Sequence, residues 1–460
     1  MSRPSATMPL MHEIQSALEL DQPFTVIGNE NYPSCFAVSD LASASIGSVG
    51  GAVAALIHNL GFDGAAPDVI VDQRLASLWF SMSIKPVGWK LPPIWDAIAG
   101  DYQTRDGWIK LHTNLPHHRA AVLSVLGIES VRKKVAEAVR TWNADELETA
   151  IVGAGGVAAA MRTRAEWKNH PQGKALASEP LIAWSDTHNN LVRNWGGTKK
   201  RPLCGLRVLD LTRVLAGPVA TRTLAGFGAD VLRIDPPGWD EANIVPDITL
   251  GKRCSFLSLD NPADRAVFER LLSKADVLVH GYRPGALDGL GLSEQVRRSI
   301  APNLIEICLD AYGWTGPWAK RRGFDSLVQM SCGIADTGMR WANANKPTPL
   351  PVQALDHATG YLMAAAAIRA VTDAASGKGI RNARLSLART AELLISHPQT
   401  APGTLGKDPI SNDFSDVDEI TPWGKARRLK PPLQIAGTPM RWTRPACELG
   451  SEPAKWLSLA

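Results

Sequence analysis

From Leu203 onward, short β-rich runs alternate with stretches of helical spacing, and that alternation narrows the fold more than any other feature of the chain. "LRVLDLT" suits a buried strand, Gly217–Pro218 punctuates it, "VATRTLAGFGA" has helical spacing, and "DVLRID" is a second strand. Together they have the length of a β-α-β unit in a parallel sheet. "RCSFLSLD", "DVLVHGY" and "LIEICLDAYG" read as further strands. Between them lie the helical runs "NPADRAVFERLLSKA", with Asn261 as N-cap, and "SEQVRRSIA". The alternation predicts an α/β fold with an open, doubly wound, Rossmann-like sheet. Ligands of such sheets sit beyond the carboxyl ends of the strands.

A second feature is a repeat. The stretch "LPVQALDHATGYLMAAAAIRAV", residues 350–371, holds one carboxylate, Asp356, ahead of a run of small residues. An echo, "CFAVSDLASASIGSVGGAVAALI", carries Asp40 in the same place 316 residues upstream. The two align without a gap for about fifteen residues, and each helix is followed by an apolar run: "DVIVDQRLA" then "SLWFSM", and "IRNARLSLA" then "TAELLI". The pattern predicts an internal duplication. Asp356 opens its helix, so capping the first-turn amides accounts for it when it is taken alone. The same amides and the helix dipole favour an ionised carboxylate, which in a shielded cleft is a nucleophile toward an activated acyl group. Gly360 and the small residues around it leave room for a ligand.

Residues 96–176 read as a smaller α+β unit. "DYQTRDGWIKLHT" is a hairpin turning at Asp106–Gly107, and helical runs follow, one of them opening at Asn143. The polar, basic run at 187–203 marks a linker, with its core at 191–202. The expected organisation is therefore 1–190, a partial copy with the Asp40 helix and the small unit, then the linker, then 203–460 with the sheet, the Asp356 helix and a Pro-, Gly- and Asp-rich tail that forms a long covering loop.

Net charge is +4, from 49 basic and 45 acidic residues, too mild for a nucleic-acid surface. The six cysteines form no CxxC pair and are too dispersed for a disulfide framework, so they read as buried or free thiols in a reducing compartment. The N-terminus has no signal-peptide core, and no run of about 18 apolar residues suggests a membrane span, so a cytoplasmic protein is expected. "GAGGVA", Gly153 to Ala158, fits a dinucleotide fingerprint only weakly and reads as a turn. His117–His118 has no partner at metal spacing and reads as exposed or structural, so no metal is expected. Lys252–Arg253, Arg283 and Lys320–Arg321–Arg322 lie near strand ends, where arginine can hold phosphate, although solvated loop residues look the same.

Taken together, "LRVLDLTRVLAGPVATRTLAGFGADVLRID", "GKRCSFLSLDNPADRAVFERLLSKADVLVHGYRPGALDGLGL", "PNLIEICLDAYGWTGPWAKRRGFDSLVQMSCGIADTG" and "ALDHATGYLMAAAAI" resemble the family III CoA-transferases (CaiB/BaiF), the carnitine and bile-acid CoA-transferase group. "DYQTRDGWIKL", "GAGGVAAAMRTRAEWKNHPQ" and the tail "PPLQIAGTPMRWTRPACELG" resemble the family's small domain and closing segment. The resemblance implies a CoA-transferase that moves CoA between carboxylic acids, with acyl-CoA and a carboxylic acid acceptor as its partners and coenzyme A entering as acyl-CoA substrate. It makes Asp356 the nucleophile, forming an aspartyl acyl anhydride and then an aspartyl-CoA thioester. Val214, Leu215, Ala216, Leu259, Tyr282 and Arg322 match positions lining the CoA site, and Arg283 lies in the family's "RPG" turn, where a phosphate role is expected.

Several departures qualify that expectation. The family order is sheet, Asp helix, small domain, tail, whereas here a sheetless Asp-helix copy and the small unit come first. The resemblance then implies a fused, partly duplicated chain, either a homodimer or a pseudo-dimeric monomer, with Asp40 a relic or a cap. Phe324 replaces the His of the racemases' "GHD" turn, which disfavours α-methylacyl-CoA racemase chemistry. The mobile glycine-rich loop is absent, and Gly289 stands where a basic residue is common. A catalytically decayed CoA-binding protein is the alternative.

Overall fold

The computed structural model describes residues 7–185, 187, 195–399, 403–406 and 408–457; residues 191–194 of the expected linker lie outside them. The first segment runs α1 (Thr7–Leu18), β1 (Thr25–Ile27), α2 (Val38–Asn59), β2 (Val69–Asp72), α3 (Gln73–Leu78) and β3 (Ile84–Pro86). The small unit follows with β4 (Gly100–Gln103), β5 (Trp108–Leu111), α4 (Pro116–Leu126), α5 (Arg132–Val139), α6 (Ala144–Gly153) and β6 (Ala158–Ala160). β4, β5 and β6 form an antiparallel sheet over a core that includes Ile98, Ile109, Val122, Val135 and Leu147. "GAGGVA" is the end of α6 and the turn into β6, with Gly155 at a φ of 82°, which is the turn reading.

After β7 (Ala183–Trp184), the alternating region gives β8 (Arg207–Leu211), α7 (Ala216–Gly226), β9 (Asp230–Asp235), β10 (Arg253–Phe256), α8 (Pro262–Leu272), β11 (Val277–His280), α9 (Glu294–Ile300) and β12 (Ile305–Asp310). Asn261 caps α8, its Oδ1 accepting the Ala263 N–H at 2.9 Å. α10 (Asp325–Ser331), α11 (Ala354–Ala375), β13 (Ala383–Ser386), α12 (Leu387–Ile395), the hairpin strands β14 (Glu419–Thr421) and β15 (Gly424–Arg428), and β16 (Leu433–Ile435) complete the chain. The main sheet is mixed only at its edge, with order β10-β9-β8-β11-β12-β13-β7 and all pairs parallel except β13–β7. The strand order reverses between β8 and β11, and a crevice opens at such a switch point beyond the strand ends.

The repeat is written into the backbone. α2 and α11 are both 22 residues long, and their caps, Ala37 and Gln353, share φ/ψ of −76°/60° and −76°/65°. Each helix enters through the same tight turn, in which the Val38 N–H reaches Phe36 O and the Ala354 N–H reaches Val352 O, both at 2.8 Å. Each is followed by a strand that passes directly into a helix, with Asp72 and Ser386 as side-chain caps. The first copy is not sheetless: β1 pairs parallel with β2, as β12 does with β13. The third strand of each set is exchanged. β7, from before the linker, adds antiparallel to β13, and β16, from the tail, adds antiparallel to β2. The tail is therefore not only a covering loop, since β15 also pairs with β3.

α2 and α11 make the most extensive helix–helix contact in the chain, inside one core cluster that also takes in α7. α2 has the length and apolar composition of a membrane span, yet 89% of its most apolar window is buried within the protein. Gly360 serves this packing and not a ligand: a Cβ there would lie 2.4 Å from the Ala216 carbonyl oxygen, so only glycine lets α11 approach the start of α7.

Candidate active site

A cavity of about 400 Å³ opens at the switch point. Its floor is the loop after β8, residues 211–217; Gly281 to Arg283 after β11 and Leu309 to Ala311 at the end of β12 form one wall. Arg321 to Phe324, Asp356 and Leu387 close another side, and Leu115, His117 and His118 arrive from the small unit. The rearranged chain order thus still delivers the small unit to the sheet.

Asp356 is the third residue of α11, not its cap, and it is 8% exposed. Its own N–H donates to Asp325 Oδ2 at 2.9 Å, which brings a second carboxylate against it. Burial, and then the Asp325 charge, push the Asp356 carboxyl well above the usual range. The expectation of a readily ionised acid is therefore reversed: desolvation and a like charge outweigh the helix dipole, which is worth about 0.3–1 kcal/mol at exposed ends. Asp40 holds the same third position in α2, accepts a hydrogen bond from Thr7 Oγ1, and does not line the cavity.

Val214, Leu215, Ala216, Tyr282, Arg283 and Arg322 all line the cavity. Leu259 does not; it packs against the cluster of Leu209, Leu211 and Leu257. Val214 has a φ of 64°, unfavourable for a β-branched residue. The loop is held there because the Val214 N–H donates to Glu241 Oε1 at 2.6 Å, while Glu241 Oε2 takes the buried Arg233 Nη2 at 2.7 Å. Arg213 lies 4.2 Å over the Trp239 ring and 5.8 Å from that of Tyr282, so the rim is aromatic and cationic together.

The basic residues separate into two groups. Lys252 pairs with Asp210 at 2.9 Å and Arg253 with Asp230 at 2.8 Å, both lysine and arginine being buried, so neither offers charge to a ligand. Arg321 is tied to Glu148 at 2.8 Å and stacked 3.9 Å over Trp318. Arg283 and Arg322 instead reach only backbone carbonyls, Lys320 O at 3.4 Å and Gly155 O at 3.3 Å. Burial, and then the Arg322 charge, press the Arg283 pKa down.

Two further residues line the cavity, Asp310, which the sequence did not single out, and His118, for which it offered no ligand role. Asp310 lines it from the end of β12, and His118, read there as exposed or structural, is 1% exposed and lines it from α4. Phe324 fills the position beside Asp325, stacked on His112 at 4.0 Å with His118 edge-on at 6.0 Å. No cluster of three or more potential metal ligands occurs among the described residues.

With this geometry in view, residues 203–416 match the model of CoA-transferase family III. An acetyl-coenzyme A transferase of Hypoxylon pulicicidum is 34% identical over 208 residues, covering 44% of this chain and 34% of that protein. An acetyl-CoA:oxalate CoA-transferase of Acetobacter aceti is 37% identical over 147 residues, 29% of this chain and 38% of that protein. A crystal structure of a CAIB/BAIF family protein from Brucella suis is 26% identical, covering 49% of this chain and 65% of that one, with a TM-score of 0.37. The chain spans about a third to a half of the length of the curated relatives it matches.

Proposed function

We propose that this chain, whose residues 203–416 belong to CoA-transferase family III, moves CoA between carboxylic acids with Asp356 as nucleophile. The observation that supports this reading is Asp356, in the first turn of α11, lining a cavity that also carries two arginines without carboxylate partners. Asp356 attacks the thioester carbonyl, forms an acyl-aspartyl anhydride and expels the CoA thiolate. The thiolate returns to the aspartyl carbonyl, releases the first acid and leaves an aspartyl-CoA thioester. The acceptor carboxylate displaces the thiolate, which then attacks the acceptor's carbonyl and frees both the new thioester and Asp356. The strained loop around Val214, the aromatic rim and the pair Arg283 and Arg322 hold the CoA portion; the small unit covers the acyl end and excludes water. Soluble expression and a place in the cytoplasm are part of the same reading.

The test is direct. The full chain is incubated with a panel of acyl-CoAs and hydroxylamine, and modified peptides are mapped by mass spectrometry. A hydroxamate at Asp356 is expected; none with any thioester would remove the reading. One observation favours the second reading, a CoA-binding protein without transfer: Asp356 is held toward its neutral, non-nucleophilic form. Tight binding of CoA with no exchange of labelled CoA into acyl-CoA would select it.

A further inference from the structure

We infer that Cys254 and Cys447 form a reversible disulfide that staples the C-terminal tail to the edge of the main sheet. The inference goes beyond the transferase reading and uses no residue of the cavity. β10 is the outermost strand of the sheet, and the tail lies along it. The Gly251 N–H donates to the Arg444 carbonyl at 3.2 Å, the Glu452 N–H to the Cys254 carbonyl at 2.9 Å, and Arg253 Nη1 to the Lys455 carbonyl at 2.6 Å. Between these contacts Thr249 and Cys447 bond each other twice: Thr249 Oγ1 accepts the Cys447 N–H at 3.1 Å and donates to the Cys447 carbonyl at 2.8 Å. Cys447 is thereby fixed in register beside the start of β10. Its S–H donates to the Lys252 carbonyl at 3.6 Å, and the Cys254 S–H donates to the Cys447 sulfur. Both are free thiols placed against each other by backbone contacts on either side.

The two thiols have different parts. Cys447 is half-buried, whereas Cys254 is fully buried. The hydrogen bond from Cys254, opposed by burial and assisted by Ser451, lowers the pKa of the Cys447 thiol. The same contact, and then burial, raises that of Cys254. Cys447 is therefore the attacking thiolate and Cys254 the resolving thiol. The oxidant is a peroxide. The Cys447 thiolate takes one peroxide oxygen to become a sulfenic acid, and hydroxide or alkoxide leaves. The Cys254 sulfur attacks the sulfenic sulfur, its proton departs with the hydroxyl as water, and the S–S bond forms. The two thiols lose two electrons and two protons, and the peroxide is reduced to two waters or to water and an alcohol. A dithiol restores both thiols by exchange. The disulfide closes a loop of about 190 residues, and long loops restrict the unfolded chain most. It also locks the cover of an edge strand, whose backbone groups are otherwise a template for pairing with another chain.

The experiment treats the reduced full chain with hydrogen peroxide for graded times. The remaining thiols are then blocked with N-ethylmaleimide in denaturant, and the chain is digested without reduction for mass spectrometry. The peptides carrying Cys254 and Cys447 are expected joined, two hydrogens lighter than their sum, before the more exposed Cys204 is oxidised. Dithiothreitol should separate them. The oxidised chain should melt a few degrees higher than the reduced one, and dithiothreitol should remove the gain. C254S keeps a hydroxyl to donate to Cys447 but has no resolving sulfur, so dimedone should trap the Cys447 sulfenic acid in several-fold greater yield than in wild type. C447S should leave Cys254 a thiol. Should either variant fold poorly, the wild-type map still decides. Three results would overturn the inference: Cys254 and Cys447 both still blocked by maleimide once Cys204 is oxidised, Cys447 ending as a sulfinic acid with Cys254 a thiol, or a joined pair with no gain in melting temperature.

Discussion

Asp356 answers to two demands that pull against each other. The proposed transfer needs its charge, and the surrounding protein resists that charge through burial and through Asp325. A carboxyl whose folded pKa is raised prefers its proton in the fold. The stability that preference supplies is complete below the ordinary carboxylate value and is lost as pH climbs toward the folded value. D356N should therefore melt higher than wild type near about pH 8, with the gap closing toward about pH 4, as read by thermal unfolding across pH. In the wild type, acylation of Asp356 should still be rising at pH values above the ordinary carboxylate range, and D325N, which keeps an acceptor for the Asp356 N–H but removes a negative charge, should shift that rise to lower pH. Asp356 was legible in the sequence because its repeat singled it out. Asp325, Asp310 and His118 were not, because the field at a carboxylate depends on groups that only folding brings beside it, and a lone Asp or His in a chain announces no such neighbour.

At the scale of elements, two short stretches set the cavity's shape. The loop after β8 stores strain at Val214, anchored by Glu241. Val214→Gly should relieve about 1 kcal/mol of that strain, raising stability in denaturant titrations, while CoA affinity measured by calorimetry falls because the loop is no longer preset. At the α7–α11 crossing, Gly360→Ala would place a Cβ 2.4 Å from the Ala216 carbonyl and 2.8 Å from the Val219 Cβ. Overpacking of this kind costs about 1–3 kcal/mol, and because Ala216 belongs to the cavity, CoA affinity should drop with stability. The long elements were readable, since β8 to β12 and their helices declare themselves by period and caps. β1, β7 and β16 were not, because two or three residues have no period and these strands exist only through their partners. Gly360 was misread for a related reason: a glycine in a helix marks close approach, and the sequence does not say of what.

Over the whole molecule, the two halves interlock and are not strung as beads. Each Asp helix packs on the other, and each half lends an antiparallel strand to the other's sheet. Residues 1–190 and 203–460 expressed separately should each expose the α2–α11 surface and aggregate, whereas co-expression should return a one-to-one complex on size-exclusion chromatography with light scattering; stable, monomeric separate pieces would contradict the interlocking. Asp40 does not line the cavity that Asp356 lines, so D40N should leave acylation of Asp356 unchanged while D356N abolishes it. The likeness of the two Asp helices was visible in an ungapped alignment, but the strand exchange was not, since the pairing of a sheet edge is settled by tertiary contacts far apart in the chain.

The central claim is that Asp356 exchanges oxygen with the acids it handles. A single turnover with a heavy-oxygen-labelled acceptor carboxylate, followed by digestion and mass spectrometry, tests this without trapping reagents. When the acceptor's anhydride is opened by the thiolate, its bridging oxygen stays on Asp356, so the peptide containing that residue should gain the mass of one heavy oxygen. Transfer of CoA with no label at Asp356, or with label on a different carboxylate, would contradict the account.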